Sequence, residues 1–293
     1  MKRKLGLALS GGGIKAFCQI GSVRALLENN IVCDGFAGTS MGSIVATFLA
    51  LGFDIDTVER EILDLEKKII DLKLFKSQKI QLYPLFTQKA DGLLDGATFE
   101  NLIKQVLVRY KVKMMNDIKM PLTLCSVDLV SGKLVLFTNQ ASDFKNFSNM
   151  IILDNVEISK AIQASCAFPL VFNTVTMNNM QLVDGGVLMN IPVQPLRDLG
   201  YEKVISISMM DHSDFVEIHK MKNIAERIIE IMTKVSDSHM LNLADFTINI
   251  SNKQVSIFSF GHGKKMIDVG YKKTLDYLQG SDAKKLKKKR FFL

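Results

Sequence analysis

Cysteine is scarce in this sequence, and its spacing matches no common metal or disulfide pattern. The 293 residues include four cysteines, which lie far apart and form no C-x-x-C pair: Cys18, Cys33, Cys125 and Cys166. The lack of metal-ligand spacing excludes a cysteine-based metal motif, and a disulfide framework is typical of much smaller secreted chains. We therefore expect four reduced, buried cysteines and no metal or other cofactor.

Long hydrophobic runs are also missing. The longest apolar run, "SIVATFLALGF" at residues 43–53, is much shorter than the roughly 20 residues that a membrane-spanning helix needs. The stretch "MKRKLGLALSGGG" begins with basic residues, but its apolar part is too short for a signal peptide and leads directly into glycines. We expect a soluble, cytoplasmic protein.

Charge of one sign is concentrated at one end of the chain. The formal net charge is +7, and residues 281–293, "SDAKKLKKKRFFL", account for +5 of it. The preceding 280 residues carry only +2, which argues against a general polyanion-binding surface and against a nucleic-acid partner. We accordingly divide the chain into a domain at residues 1–280 and a basic tail at residues 281–293.

The basic tail permits two interpretations. It is either a solvated end or a peripheral contact with an anionic membrane, where each Lys or Arg contributes about 1 kcal/mol and Phe291, Phe292 and Leu293 insert. The sequence gives no sign of the oligomeric state.

The order of apolar segments predicts an α/β fold. Two apolar strands, "KLGLALS" and "IVCDGFAG", are each followed by a glycine-containing turn and a helical pattern, which is typical of a sheet with parallel strands. Further along, the sequence predicts helices at residues 54–72, 96–110, 157–168 and 215–240, hairpins at residues 121–137 and 170–186, and a strand at residues 203–209.

Three consecutive glycines follow the first strand. Gly11, Gly12 and Gly13 precede a helical pattern in "LALSGGGIKAF", and unpaired N–H groups at the start of a helix bind anions. The anion is either a permanent phosphate or a transient oxyanion, and a plain strand–helix turn is the structural alternative. A dinucleotide-binding G-x-G-x-x-G is disfavoured, because its third glycine is replaced by Ala16.

A second glycine-rich turn carries a candidate nucleophile. Residues 38–42, "GTSMG", form a G-x-S-x-G motif between the second strand and a helical run. A sharp strand-to-helix turn of this kind needs small flanking residues and raises the serine hydroxyl above the sheet edge. Ser40 is therefore the predicted nucleophile.

A serine nucleophile needs a base, and the sequence offers two kinds. An α/β-hydrolase uses histidine, and of the four histidines His262, in the glycine-flanked "FGHG", is the best triad candidate. Asp184, in "LVDGG" at the end of an apolar strand, is the other candidate, because a carboxylate becomes more basic in a site closed to water. The residues alone leave both arrangements open, and D-G-G taken by itself is more typical of a plain turn.

These segments together resemble one protein family. In chain order, "GGGIKAF", "GTSMG", "AIQASCAFPLVF" and "DGGVLMNIP" are similar to segments of bacterial patatin-like phospholipases, which are lipid acyl hydrolases with a Ser-Asp dyad. The resemblance covers about residues 5–279 and implies a three-layer α/β/α hydrolase with a mostly parallel central sheet. It also implies that Ser40 is the nucleophile and Asp184 its base, and that Gly11, Gly12 and Gly13 form the oxyanion hole.

The same resemblance assigns supporting positions and includes one departure. Supporting roles fall to further residues of the motifs: Lys15, Gly38, Met41, Gly42, Gly185 and Gly186. The family usually has glycine where this chain has Ala16, and this departure leaves a catalytically silent lipid-binding protein as an alternative to an enzyme.

The predicted reaction is the hydrolysis of acyl esters of phospholipids or lysophospholipids. An acyl-enzyme forms on Ser40, and water completes the second half-reaction without a metal. The stretch from Phe75 to Phe86, with aromatic and apolar residues among lysines, is a candidate lid or acyl-chain wall, or else a buried loop. An α/β-hydrolase esterase with a Ser-Asp-His triad through His262 is the alternative enzyme.

Overall fold

The computed structural model of the protein describes residues 4–74, 94, 96–145, 149–169, 171–209, 221–252, 255–281, 283 and 286. Its strands are Leu5–Leu9 (β1), Gly35–Thr39 (β2), Leu122–Asp128 (β3), Lys133–Thr138 (β4), Met150–Leu153 (β5), Val175–Met177 (β6), Met180–Asp184 (β7), Lys203–Ser208 (β8) and Phe246–Asn249 (β9). Its α-helices are Cys18–Glu28 (α1), Met41–Ala50 (α2), Ile55–Asp71 (α3), Gly96–Arg109 (α4), Ile158–Ser165 (α5), Val193–Asp198 (α6), Met221–Leu243 (α7) and Gly263–Gln279 (α8). The candidate lid at residues 75–86, His212, His219 and most of the basic tail lie outside the described residues.

The described strands form one sheet that is mostly parallel. Their order across the sheet is β5-β4-β3-β2-β1-β8-β9. Each neighbouring pair from β3 to β9 along this order is parallel, whereas β4 is antiparallel to β3. The hairpin of β6 and β7 joins the sheet through antiparallel pairing of β7 with β3. The predicted mostly parallel sheet is confirmed.

Helices cover both faces of the sheet, because its central strands are apolar on both sides. In β1, Leu7 and Leu9 pack into one hydrophobic core, and the intervening Ala8 packs into another. Side chains alternate between the two faces of a strand, so the two cores lie on opposite faces. The first core includes residues of α1, α2 and α3, and the second includes residues of α6. The predicted α/β/α layering is confirmed.

Both predicted hairpins are present, and the turn of each contains residues with positive φ. The connection of β3 to β4 includes Gly132, with a φ of 68°. Asn178 and Asn179 connect β6 to β7, with φ of 50° and 61°. Two consecutive residues with positive φ are typical of a type I′ turn, in which asparagine is a preferred residue.

Four elements were not predicted from the sequence: β5, β9, α6 and α8. Helix α8 packs on α1 at a distance that only glycine permits. A Cβ at Gly270 would overlap the carbonyl oxygen of Cys18, and a Cβ at Gly21 would overlap that of Ile267. The stability of α8 thus depends on a contact with a helix far away in the chain, which its own lysine-rich pattern does not indicate.

Three further observations bear on the sequence-based expectations. None of the described helices has both the length and the apolar composition that crossing a membrane requires. The four cysteines are buried and unpaired, as expected. Within the predicted tail, Ala283 and Leu286 are buried in the first core, so this part of the segment packs against the domain.

Candidate active site

Ser40 occupies the sharp turn between β2 and α2. β2 ends at Thr39 and α2 begins at Met41, so Ser40 alone makes the connection. Its φ of 52° and ψ of −132° lie outside the regions that serine ordinarily adopts, and such strain is typical of a nucleophile in a strand-to-helix turn. A Cβ at Gly38 would lie 2.6 Å from the carbonyl oxygen of Gly42, so the turn has no room for a larger residue there.

Hydrogen bonds hold this turn from two sides. The Ser40 N–H donates to Ser165 Oγ at 3.0 Å, and the Ser40 carbonyl oxygen accepts from Ser43 N–H at 2.8 Å and from Ser43 Oγ at 2.6 Å. Thr39 Oγ1 donates to the carbonyl oxygen of Met189 at 2.9 Å. The turn is thus tied both to α5 and to the segment that follows β7.

Strand register brings Asp184 to Ser40. Along one edge of β3, Cys125 pairs with Thr39 of β2, and the next residue, Ser126, pairs with Asp184 of β7. β2 runs parallel to β3 and β7 runs antiparallel to it, so the ends of β2 and β7 face each other. Ser40 and Asp184 lie at these two facing ends.

The Asp184 carboxyl is buried and only partly hydrogen-bonded. Its Oδ1 accepts from the Gly186 N–H at 2.8 Å, and within the described part of the chain its Oδ2 has no hydrogen-bond partner of ordinary geometry. Burial raises the pKa of Asp184 to about 6, while the Gly186 N–H and the nearby Ser40 hydroxyl lower this pKa by favouring the charged form. The carboxylate is therefore more basic than an exposed one, and its second oxygen is free to accept a proton.

The glycine loop passes directly beside Ser40. A Cβ at Gly11 would lie 3.0 Å from Ser40 Cβ, so glycine allows a closer approach than any other residue. The Gly11 N–H donates to the carbonyl oxygen of Asn190 at 3.2 Å. Gly12 and Gly13 have positive φ, of 153° and 56°, and among the described residues nothing accepts a hydrogen bond from their N–H groups. The loop thus presents two open donors, whereas the sequence suggests three.

The residues after the glycines form a short 3-10 helix, Gly13–Phe17, which leads into α1. Lys15 lies half-buried on this turn. Ala16 is completely buried and packs within the first core. The methyl group of Ala16 therefore occupies space inside the domain, and the departure from glycine at this position is compatible with the fold of the loop.

The remaining motif residues lie where close packing requires them. A Cβ at Gly42 would overlap the carbonyl oxygen of Leu9, and a Cβ at Gly185 would overlap that of Cys125. Met41 is the first residue of α2, so its N–H has no acceptor within the helix and lies next to Ser40.

The two described histidines, His239 and His262, make no bond to the proposed catalytic residues in the described part of the chain. His262 is exposed and precedes α8, where the N–H groups of Gly261 and Gly263 on either side of it donate to Glu66 Oε1. His239 is an exposed residue of α7. Within the described part of the chain, no hydrogen bond or ion pair joins either histidine to Ser40 or Asp184.

Two residues at the site were missed by the sequence analysis. Ser165 accepts the N–H of the predicted nucleophile, and Asn190 accepts the N–H of the first loop glycine. Both lie in segments that carry the family resemblance, "AIQASCAFPLVF" and "DGGVLMNIP". Their position in these segments is a signal, but their contacts depend on elements distant in the chain.

Over the residues that the structure describes, no three His, Cys, Asp or Glu side chains form a group that could hold a metal ion.

Comparison with known protein families and with individual proteins agrees with the family resemblance of the motifs. The patatin-like phospholipase family model matches residues 7–197. The chain is 26% identical over 216 residues to an uncharacterized protein of Acanthamoeba polyphaga mimivirus, an alignment that covers 71% of this chain and 66% of the viral protein. It is 25% identical over 243 residues to the uncharacterized protein YqhO of Bacillus subtilis, with 78% of this chain and 79% of YqhO covered.

Comparison of structures supports the same fold. The crystal structure of VipD from Legionella pneumophila superposes with a TM-score of 0.51 at 14% sequence identity, covering 95% of this chain and 67% of the VipD chain. The chain thus spans about two thirds of the length of both VipD and the viral relative.

Proposed function

The chain belongs to the patatin-like phospholipase family, and from this premise we propose that it hydrolyses acyl esters of phospholipids or lysophospholipids. The observation that carries the proposal is the meeting of three elements at Ser40. The serine lies in a strained turn, the basic carboxyl of Asp184 stands at the facing strand end, and a glycine loop with two open N–H groups passes beside it.

In the first half-reaction, Ser40 Oγ attacks the carbonyl carbon of the ester. The hydroxyl proton passes to the Asp184 carboxylate, whose Oδ2 has no other partner in the described part of the chain. The resulting tetrahedral intermediate collapses, the C–O bond to the leaving alcohol breaks, and this alcohol takes the proton from Asp184. An acyl-enzyme on Ser40 remains.

In the second half-reaction, Asp184 takes a proton from water as the water oxygen attacks the acyl carbon. The bond to Ser40 Oγ breaks, Ser40 recovers its proton, and the fatty acid is released. The pKa of about 6 suits Asp184 to both steps, because the carboxylate is ionised at pH 7 and yet basic enough to hold a proton transiently.

The N–H groups of Gly12 and Gly13 stabilise the oxyanion in this scheme. Donors fixed by the fold need no reorganisation when charge develops, and removing one such donor typically costs about 10²–10³ in kcat. Gly11 has a different part, because its N–H already has an acceptor and its missing side chain allows the loop to approach Ser40.

A peripheral membrane contact through residues 281–293 is part of the proposal. A lipid substrate is held in an aggregate, so the enzyme has to reach a lipid surface. The charge of +5 in this segment favours an anionic one.

A fluorophosphonate probe tests the proposal, because it phosphonylates an activated serine. We expect labelling of the wild-type protein to map to the peptide that contains Ser40, to be abolished in Ser40→Ala, and to be unaffected in His262→Ala. In parallel, the release of fatty acid from phosphatidylcholine and lysophosphatidylcholine distinguishes the two lipid classes. A folded wild-type protein that neither reacts with the probe nor releases fatty acid would contradict the proposal and favour the silent lipid-binding alternative.

A further inference from the structure

A second buried carboxyl lies behind the glycine loop and has no part in the reaction scheme. Asp237 of α7 is 2% exposed. Its Oδ2 accepts from Asn190 Nδ2 at 2.9 Å, and within the described residues its Oδ1 has no hydrogen-bond partner of ordinary geometry. A buried carboxylate is unfavourable unless it is paired or fully hydrogen-bonded, so the position of Asp237 calls for an explanation.

Asn190, the partner of Asp237, contacts two segments of the active site, the glycine loop and the turn that follows Asp184. The carbonyl oxygen of Asn190 accepts the Gly11 N–H at 3.2 Å. Asn190 Oδ1 lies so close to the loop that a Cβ at Gly11 would be 2.6 Å away from it, and a Cβ at Gly186 would be 3.5 Å away. Asn190 therefore lies between the glycine loop and the turn that follows Asp184.

The orientation of the Asn190 amide depends on its partner. The terminal torsion angle of an asparagine side chain has a broad, roughly two-fold distribution, so packing alone does not determine which way the amide faces. The bond from Nδ2 to Asp237 directs the amide nitrogen toward α7 and leaves Oδ1 on the side of Gly11. An apolar residue in place of Asp237 would remove the acceptor for this nitrogen, whereas a neutral amide would leave a weaker acceptor in its place.

We propose that Asp237 is a positioning residue that acts through Asn190 to hold the glycine loop in its place beside Ser40. The inference rests on the proposed function, because its consequence for catalysis is the placement of the Gly12 and Gly13 N–H groups. Asp237 touches neither substrate nor the reacting atoms; it fixes Asn190, and Asn190 fixes Gly11.

The electrostatics of Asp237 agree with this role. Burial raises the pKa of Asp237 to about 6, while the Asn190 amide and the Ile191 N–H favour the charged form and lower this pKa. The two groups that stabilise the carboxylate thus belong to adjacent residues of the same segment, "MNIP".

The first test is kinetic and uses a soluble p-nitrophenyl ester. Misplacement of a catalytic group by a fraction of an ångström to 1 Å lowers the rate of the chemical step, so we expect Asp237→Ala to lower kcat about tenfold with little change in KM. Asp237→Asn keeps an oxygen acceptor for Asn190 Nδ2 and is expected to retain at least about a third of the wild-type kcat. Asp198→Asn is the control, because Asp198 is a half-buried carboxyl, also with a pKa raised by burial, that lies outside the site, on α6.

A double-mutant cycle tests the connection between the two residues. If Asp237 acts only through Asn190, then Asn190→Ala combined with Asp237→Ala lowers kcat no further than Asn190→Ala alone. Additive losses, an unchanged kcat in Asp237→Ala, or equal losses in Asp237→Asn and Asp237→Ala would each overturn the proposal.

The second test does not depend on hydrolysis. Hydrogen exchange of the Gly11 amide, measured in the wild type and in Asp237→Ala, is expected to be faster in the variant and unchanged in Asp198→Asn. If Asp237→Ala does not fold, Asn190→Ala is used in its place in both tests, because it removes the same hydrogen bond between the two side chains. If the wild type is inactive but Gly11 exchange is faster in Asp237→Ala, the proposed function alone is refuted. If the wild type is active but Asp237→Ala changes neither the exchange nor kcat, the positioning role alone is refuted.

Discussion

Thr39 and Asp184 pair with neighbouring residues on the same edge of β3, so the ends of β2 and β7 face each other. The proposed nucleophile and base are therefore placed by strand pairing in the centre of the sheet. Ser126, the partner of Asp184, also donates from its Oγ to the carbonyl oxygen of Val183 at 2.7 Å, which holds the end of β7 in place. A pair placed in this way is preorganised before substrate binds.

The glycine loop gives the first prediction. A Cβ at Gly13 would overlap the carbonyl oxygen of Ile257, so Gly13→Ala displaces the loop, and we expect kcat to fall by about 10²–10³ with a much smaller change in KM. Gly132→Ala is the matched control, because Gly132 also has positive φ, of 68°, but a Cβ there would have no atom within 4 Å. It is expected to lose about 1 kcal/mol of stability and no activity. A raised KM with normal kcat in Gly13→Ala would instead indicate binding of a ground-state anion.

The ionisation of Asp184 gives the second prediction. Burial raises its pKa to about 6, and only the carboxylate accepts the Ser40 proton, so kcat for a soluble ester should fall as the pH is lowered through about 6. The measurement is a pH–rate profile of the wild type over the range in which the fold is intact by circular dichroism. A rate that stays constant down to the ordinary carboxyl pKa of about 4 would contradict the role assigned to this carboxyl.

The same raised pKa predicts that the stability of the fold changes with pH in the direction opposite to kcat. Between about pH 4 and pH 6 the folded protein binds a proton at Asp184 that the unfolded chain has released, so this group lowers the free energy of unfolding as the pH rises through this interval. Asp184→Asn removes the buried charge and is expected to raise the free energy of unfolding at pH 7, by at most about 3 kcal/mol. The gain should disappear near pH 4. Urea denaturation at the two pH values measures it, and a variant less stable than wild type at pH 7 would contradict the prediction.

The basic tail gives a prediction that separates membrane contact from catalysis. Ending the chain after Leu286 keeps the buried Ala283 and Leu286 and removes the cations beyond them: Lys287, Lys288, Lys289 and Arg290. Hydrolysis of a soluble ester should be unchanged. Co-sedimentation with vesicles that contain phosphatidylglycerol should weaken, and high salt should weaken that of the full chain to the same degree, because such charges act over only about 8–10 Å at physiological salt. Equal sedimentation of both forms at every salt concentration would identify the segment as a solvated end.

The sequence was most informative where a motif is local. The turn at Ser40 and the hairpin turn at Asn178 and Asn179 each need particular residues at fixed offsets, so the chemistry of a few neighbouring positions specifies the conformation. Asp184 was recognised by the glycines that follow it. That Asp184 lies close to Ser40 was predicted only from the family resemblance. The sequences of β2 and β7 do not by themselves predict the register in which each strand pairs with β3.

The residues that the sequence did not reveal are those whose roles depend on distant partners. Ser165 has a role only because α5 ends beside the Ser40 N–H, and Asp237 only because α7 packs behind Asn190. The acceptor for the Gly11 N–H is also distant, which is why the glycine triplet suggested three open donors and the fold leaves two. Helix α8 follows the same rule, because its packing requires glycines on two helices.

The central claim is that Ser40 and Asp184 form the catalytic pair, without a histidine. The most direct test compares kcat for a soluble p-nitrophenyl ester in Ser40→Ala, Asp184→Asn and His262→Ala, each verified by circular dichroism to be folded. The account predicts that the first two variants lose essentially all activity, because one lacks the nucleophile and the other lacks the base, while His262→Ala keeps most of it. Loss of activity in His262→Ala together with activity in Asp184→Asn would contradict the account and establish the triad in its place.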